Sequence, residues 1–165
     1  MEKLIRKFIT ITAIVVILLS SQLQISASKS KEIDREEAIY EIVRLVNIER
    51  QKAGVKPLEL SRELLRPANI RAREIIKLFS HTRPNGLSFN TAFYGIDYKV
   101  AGENIAMGQT SCEMVMQQWM DSPGHRANIL NKKYNYIGVA YIYVPNNHYK
   151  HFWVQEFAKI DRKNW

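Results

Sequence analysis

The side chains in this sequence best suited to chemistry at neutral pH are two histidines with acids in reach of them. His81 stands in FSHTRPNG, Glu103 in AGENIAMG, His125 in SPGHRANIL, and Asp121 lies just ahead of the turn that carries His125. Imidazole is the usual neutral-pH metal ligand and proton carrier, and a carboxylate beside it fixes its tautomer or becomes a ligand in turn. These four residues could form a shallow site built from the ends of structural elements. Their spacing alone does not bring them together, and a histidine after a helix end serves equally well to hydrogen-bond a turn. HExxH, GxSxG and GxxxxGK[ST] are all absent, and Cys112 has no base near it in sequence.

The elements that must position these residues are legible from apolar periodicity. Asp34, with Glu37 three residues on, caps a helix in which Ile39, Ile42, Val43 and Val46 follow helical spacing until Ala53 and Gly54 close it. A second helix is expected over residues 61–79, kinked at Pro67 or beginning near Arg66, because proline removes a donor and clashes one turn back. Residues 81–108 lack helical period, gather glycines and prolines, and are expected to hold only short extended pieces. Thr110, with Glu113, caps a third helix that buries Val115, Met116 and Trp119, and Pro123 starts a short fourth. Residues 136–144 and 149–160 are rich in β-branched and aromatic side chains and read as two adjacent antiparallel strands joined at Pro145-Asn146-Asn147-His148. Helices early and strands late give an α+β domain whose sheet is covered by helices. Trp119, Trp153 and Phe157 are expected in the core with Cys112. Tyr141, Tyr143, Tyr149 and Phe152 are expected to leave aromatic surface on the last hairpin, and His148 and His151 to face solvent.

Composition sets the setting. Residues 1–27 begin basic, continue through an apolar run and end in small and polar residues, the pattern of a secretory signal peptide, with an uncleaved membrane anchor as the lesser alternative. A short linker at 28–33, one domain at 34–160 and a tail at 161–165 account for the rest. One cysteine excludes disulfides within the chain, so the domain depends on its core. A formal net charge of +8 draws an exported protein towards anionic polymers or lipid headgroups. Nucleic acid is not expected, since the basic residues are scattered and no recognition motif accompanies them.

Five segments, FSHTRPNG (79–86), AGENIAMG (101–108), Trp119 with SPGHRANIL (122–130), IGVAY (137–141) and WVQEF (153–157), resemble the bacterial branch of the CAP superfamily. That superfamily groups cysteine-rich secretory proteins, antigen 5 and pathogenesis-related proteins, and its bacterial members are SCP-like extracellular domains. The resemblance implies an α-β-α sandwich with a central antiparallel sheet and a shallow cavity lined by two histidines and two acids. By motif, these fall on His81, Glu103 and His125, with Asp121, two positions after Trp119, as the candidate second acid. Gln155 resembles a position beside the cavity, where its amide could steady a histidine.

The same resemblance implies zinc or another divalent cation on His81 and His125, with Glu103 available as a third ligand or a base. No catalytic residue is assigned. The function expected is that of a binding protein outside the cell or at the envelope. A metal-dependent hydrolase of peptide or cell-wall material and a lipid or sterol carrier stand as alternatives. The expected partner is an extracellular ligand, an anionic envelope polymer or a lipid, and the chain is expected to be a monomer.

Overall fold

Asp34 accepts hydrogen bonds from the backbone N–H groups of Glu36 and Glu37, both at 2.9 Å, and so starts helix α1, Arg35–Lys52. Burial recurs at Ala38, Ile42, Val46 and Arg50, a stripe along one face. This computed structural model describes residues 33–161; the expected signal peptide and all but the last residue of the expected linker lie outside the described residues, as do 162–165. After α1 come strand β1 (Glu59–Leu60), helix α2 (Arg62–Ile75), a 3-10 turn (Phe89–Phe93) and strand β2 (Val100–Met107). Helices α3 (Cys112–Asp121) and α4 (Pro123–Ile129) and strands β3 (Tyr136–Tyr143) and β4 (His151–Lys159) complete the order.

Three local expectations are corrected. Helix α2 is capped by Ser61 and runs through a buried Pro67 rather than beginning at Arg66. Pro67 lies near the start, where the missing N–H deprives only the Glu63 carbonyl of a partner. Ser111, not Thr110, caps α3 by accepting the Met114 N–H at 3.2 Å, while the Thr110 hydroxyl turns to the Met114 sulfur. The region expected to hold only short extended pieces contains the eight-residue strand β2. Its alternation was hidden because the consecutive polar residues Glu103 and Asn104 are both buried, on opposite faces.

The strands lie in the order β1-β3-β4-β2. β4 pairs antiparallel with both β3 and β2, whereas β1 pairs parallel with β3, so the sheet is mixed rather than wholly antiparallel. The long intervening chain between β1 and β3 permits that parallel pairing, which a tight hairpin could not make. Helices α1, α3 and α4 cover one face, where Val46, Trp119, Val139, Trp153 and Phe157 share a core. Helix α2 covers the other, packing Ala68, Ala72 and Ile75 on Ala140, Phe152 and Val154. At Gly138 the helix comes so close that an added Cβ would stand 2.3 Å from the Leu64 carbonyl oxygen.

With both faces covered, β4 is buried almost from end to end instead of alternately. The expected aromatic surface is therefore largely absent: Tyr141 and Phe152 are core residues, and Tyr149 remains exposed. His151 is also inside, its Nδ1 2.8 Å from the Tyr141 hydroxyl, rather than facing solvent. Cys112 is buried as expected, and burial pushes its thiol up to about 12. Among the described residues no helix is long and apolar enough to cross a membrane.

Candidate functional site

Strand β2 lies at the edge of the sheet, and its two central residues face opposite ways. Glu103 turns to the α2 face and Asn104 to the face of α3 and α4. Each secures one of the histidines, so the pair GluAsn in AGENIAMG is the hinge point of the site.

On the α2 face, Glu103 Oε1 lies 2.8 Å from His81 Nδ1, and Oε2 accepts from Arg71 Nε at 2.6 Å. The Arg71 side chain is fully buried. It also donates to Glu74 Oε2 at 2.7 Å and to the Ser80 carbonyl, which pins the loop carrying His81 to the helix behind it. Arg83 closes the far side of Glu74 at 2.7 Å. Burial opposes the Arg71 charge, but its bonds to Glu103 and Glu74 outweigh that penalty and raise its pKa. Burial likewise works to raise the Glu74 carboxyl, and Arg83 with Arg71 overcomes it and holds the group below its ordinary value.

Directly across from Glu103 in register is Glu156 of β4, fully buried, with neither carboxyl oxygen receiving a hydrogen bond among the described residues. Burial, then the Glu103 charge, pushes Glu156 well above the ordinary carboxyl value.

On the other face, Asn104 Nδ2 donates to the His125 carbonyl at 3.1 Å and to Gln155 Oε1 at 3.0 Å, while Asn104 Oδ1 accepts from Asn128 at 2.9 Å. Asn128 also donates to the Glu103 carbonyl at 3.1 Å. Three separated motifs, GENIA, SPGHRANIL and WVQEF, thus meet in one amide network that fixes α4 against the sheet. Pro123 at the first position of α4 presets its entry, and His125 follows in the first turn. His125 is half-buried; burial, and then the nearby His81, lower its pKa, which keeps the imidazole neutral at pH 7. Its Nδ1 is buried without a hydrogen-bond partner among the described residues.

Both histidines line one open cavity of about 440 Å³ beside the outer end of β2, together with Ile105, Met107, Gln118 and Tyr149. The structure therefore brings His81, Glu103 and His125 together, with Gln155 one hydrogen bond behind through Asn104. Asp121 is not brought in: it is exposed at the end of α3, accepts from Gln117 at 2.9 Å, and does not line the cavity. Gln118 reaches the cavity from α3 instead.

Two residues of the site escaped the sequence reading. Arg71 follows Leu64 by seven positions and Ala68 by three, which puts it on the apolar stripe of α2, the one signal that could have marked it as buried. Glu156 stands in an apolar strand next to Gln155. Two successive polar residues there were a sign that both faces of the strand carry polar networks.

As a metal centre, the arrangement has two imidazoles and few further donors. Glu103 has both oxygens committed, which makes it the residue that orients His81 and leaves Nε2 for a ligand. Among the described residues no group of three or more His, Cys, Asp or Glu side chains is arranged to hold a metal ion. Two histidines fall short of the three protein ligands usual for catalytic zinc.

Helices on both faces of the four-stranded sheet make a three-layer α-β-α sandwich, with the two histidines beside its edge strand. The chain belongs to the cysteine-rich secretory protein family, CAP, whose model matches residues 43–157. It is 41% identical over 120 residues to the uncharacterized protein YkwD of Bacillus subtilis strain 168, covering 70% of this chain and 45% of that one. Over 104 residues it is 29% identical to the uncharacterized membrane protein YlbC of the same organism, covering 61% of this chain and 30% of that one. The chain thus spans less than half the length of these curated relatives.

Among solved structures it is similar to an extracellular protein containing an SCP domain from Bacillus anthracis, with a TM-score of 0.67, 25% identity, and coverage of 76% of this chain and 41% of that one. An outer surface protein of Borrelia burgdorferi shares the fold with a TM-score of 0.65 at 20% identity, covering 73% of this chain and 90% of that one.

Proposed function

We propose that this chain is a binding domain acting outside the cell or at the envelope, and that its edge-strand cavity takes a divalent cation, zinc or another, on His81 and His125. The observation that carries the reading is the Glu103–His81 bond, backed by buried Arg71. It consumes Nδ1 and presents Nε2 beside a second, neutral imidazole. A fixed tautomer and a lowered proton affinity are what two histidines need in order to share a cation at neutral pH. With two protein donors, positions remain for an oxygen-bearing ligand, so the cation would serve ligand contact. The extracellular SCP-domain protein and the outer surface protein among its structural neighbours, and the signal-like residues 1–27, support the location. The hydrolase alternative needs an uncommitted base at the cation, and Glu103 is already bonded through both oxygens. The lipid or sterol carrier has no comparable observation behind it.

Calorimetric titration of the full chain with zinc tests this. One-site binding that is abolished in a folded His81→Ala/His125→Ala protein is expected. Absence of binding, or binding untouched by the double substitution, would refute the site.

A further inference from the structure

At the other end of β2 from the histidines lies a larger concavity of about 810 Å³, walled by Lys56, Lys99, Lys132, Lys133 and Lys159. It crosses the end of the whole sheet, from Glu59 in β1 to Lys99 ahead of β2. Four strands set side by side make that span roughly 14 Å, the length of a short run of polymer rather than of a single ion.

The walls are held in place. Buried Arg50 donates from Nε to the Lys56 carbonyl at 2.7 Å and from Nη1 to the carbonyls of Ile129 and Asn131 at 2.7 and 3.0 Å. One guanidinium thus ties the loop bearing Lys56 to the loop leading into Lys132 and Lys133. Asn135 fixes the end of β4 by bonding both backbone groups of Ile160, at 2.8 and 2.9 Å. These bonds fix the backbone from which the lysines project.

The groove already grips one anionic group. The Asp161 carboxylate sits between Lys99 and Lys159, at 2.8 and 3.0 Å. Lys56, Lys132 and Lys133 are exposed and form no ion pair among the described residues. Among the described residues Asp161 is paired with Lys99 and Lys159, Asp97 also acts on Lys99, and Glu59 lies in the wall, so against five ammonium groups positive charge is left unmatched at Lys56, Lys132 and Lys133.

We propose that this groove is the binding site for a linear phosphate polymer, with Asp161 as a built-in competitor for one anionic position. Lysines act on phosphate as point charges, and among the described residues no arginine lines the groove to favour planar, bidentate carboxylate recognition. Among the described residues none of the exposed large apolar side chains lies in its wall, neither as a wedge that would enter a bilayer nor as a stacking platform of the kind nucleic-acid bases use. The site stands apart from the histidine cavity and does not depend on it.

The test is binding of short-chain inorganic polyphosphate to the full chain, measured by calorimetry at low and near-physiological salt, beside vesicles of phosphatidylcholine with phosphatidylglycerol. Saturable binding that weakens with salt is expected. Lys56→Gln/Lys132→Gln/Lys133→Gln should weaken it about tenfold or more, and Asp161→Asn should tighten it. Arg62→Gln/Arg73→Gln/Lys77→Gln, which removes the same charge from exposed positions on α2 and just beyond its end, should change it less than about threefold. Thermal melts confirm that each variant is folded. Equal losses in the two triple variants, no gain in Asp161→Asn, capture by vesicles without affinity for polyphosphate, or no saturable binding would each overturn the proposal.

Discussion

Replacing Arg71 by methionine should be among the most damaging single changes in this domain. The Arg71 side chain is completely buried and bonds Glu103 twice, at 2.6 and 3.3 Å, Glu74 at 2.7 Å, and the Ser80 carbonyl. Methionine fills much of the volume but leaves the Glu103 carboxylate, itself buried, with only His81 to meet its charge. Removing one partner of a buried ion pair costs about 3–5 kcal/mol, a large share of the roughly 5–15 kcal/mol that holds a domain folded. Urea denaturation of the full chain measures this directly.

The informative comparison is the double variant Arg71→Met/Glu103→Gln, in which the stranded charge is gone. It should recover on the order of 1–3 kcal/mol relative to the sum of the single losses. Additive losses, or a cost for Arg71→Met below about 1 kcal/mol, would show that the pair does not carry the stability assigned to it.

Three further outcomes follow from the same structure. Gly138→Ala should destabilise by about 1–3 kcal/mol or more, seen as a lowered urea midpoint, because the new Cβ meets the Leu64 backbone at 2.3 Å and neither helix nor strand can yield locally. Glu156 has a folded pKa raised from 4.5, so its contribution to stability is full below that value and is lost as pH rises through the folded pKa. Glu156→Gln, neutral at every pH, should accordingly lose less stability than the parent as pH rises above about 5; parallel pH profiles would contradict the raised value. Cys112, with its thiol pushed up to about 12, should resist a thiol-specific disulfide reagent at mildly alkaline pH in the native protein and react promptly in urea; fast native reaction would place it outside the core.

The sequence by itself determined the helices and the last hairpin, because amphipathic spacing and caps are local. Asp34, Pro123 and the aromatic run of β3 and β4 all act within a few residues of where they stand. It also held the family motifs, and through them His81, Glu103, His125 and Gln155. What it could not set was which face each strand residue meets. β2 was missed because Glu103 and Asn104 break the apolar alternation, and only packing shows that each is buried in a polar network on its own side.

The tertiary structure likewise decided that Asp121 stays outside the cavity. Sequence distance from Trp119 says nothing about direction, and the last turn of α3 points that side chain to solvent and to Gln117. It decided that Arg71 stands behind Glu103 and Glu156 across from it, contacts between residues far apart in the chain. It also gathered scattered lysines into one groove, since charge is counted along a sequence but concentrated only where strand ends and loops converge. Local propensity is written residue by residue; a buried charge network and a concave surface exist only once distant segments have closed on one another.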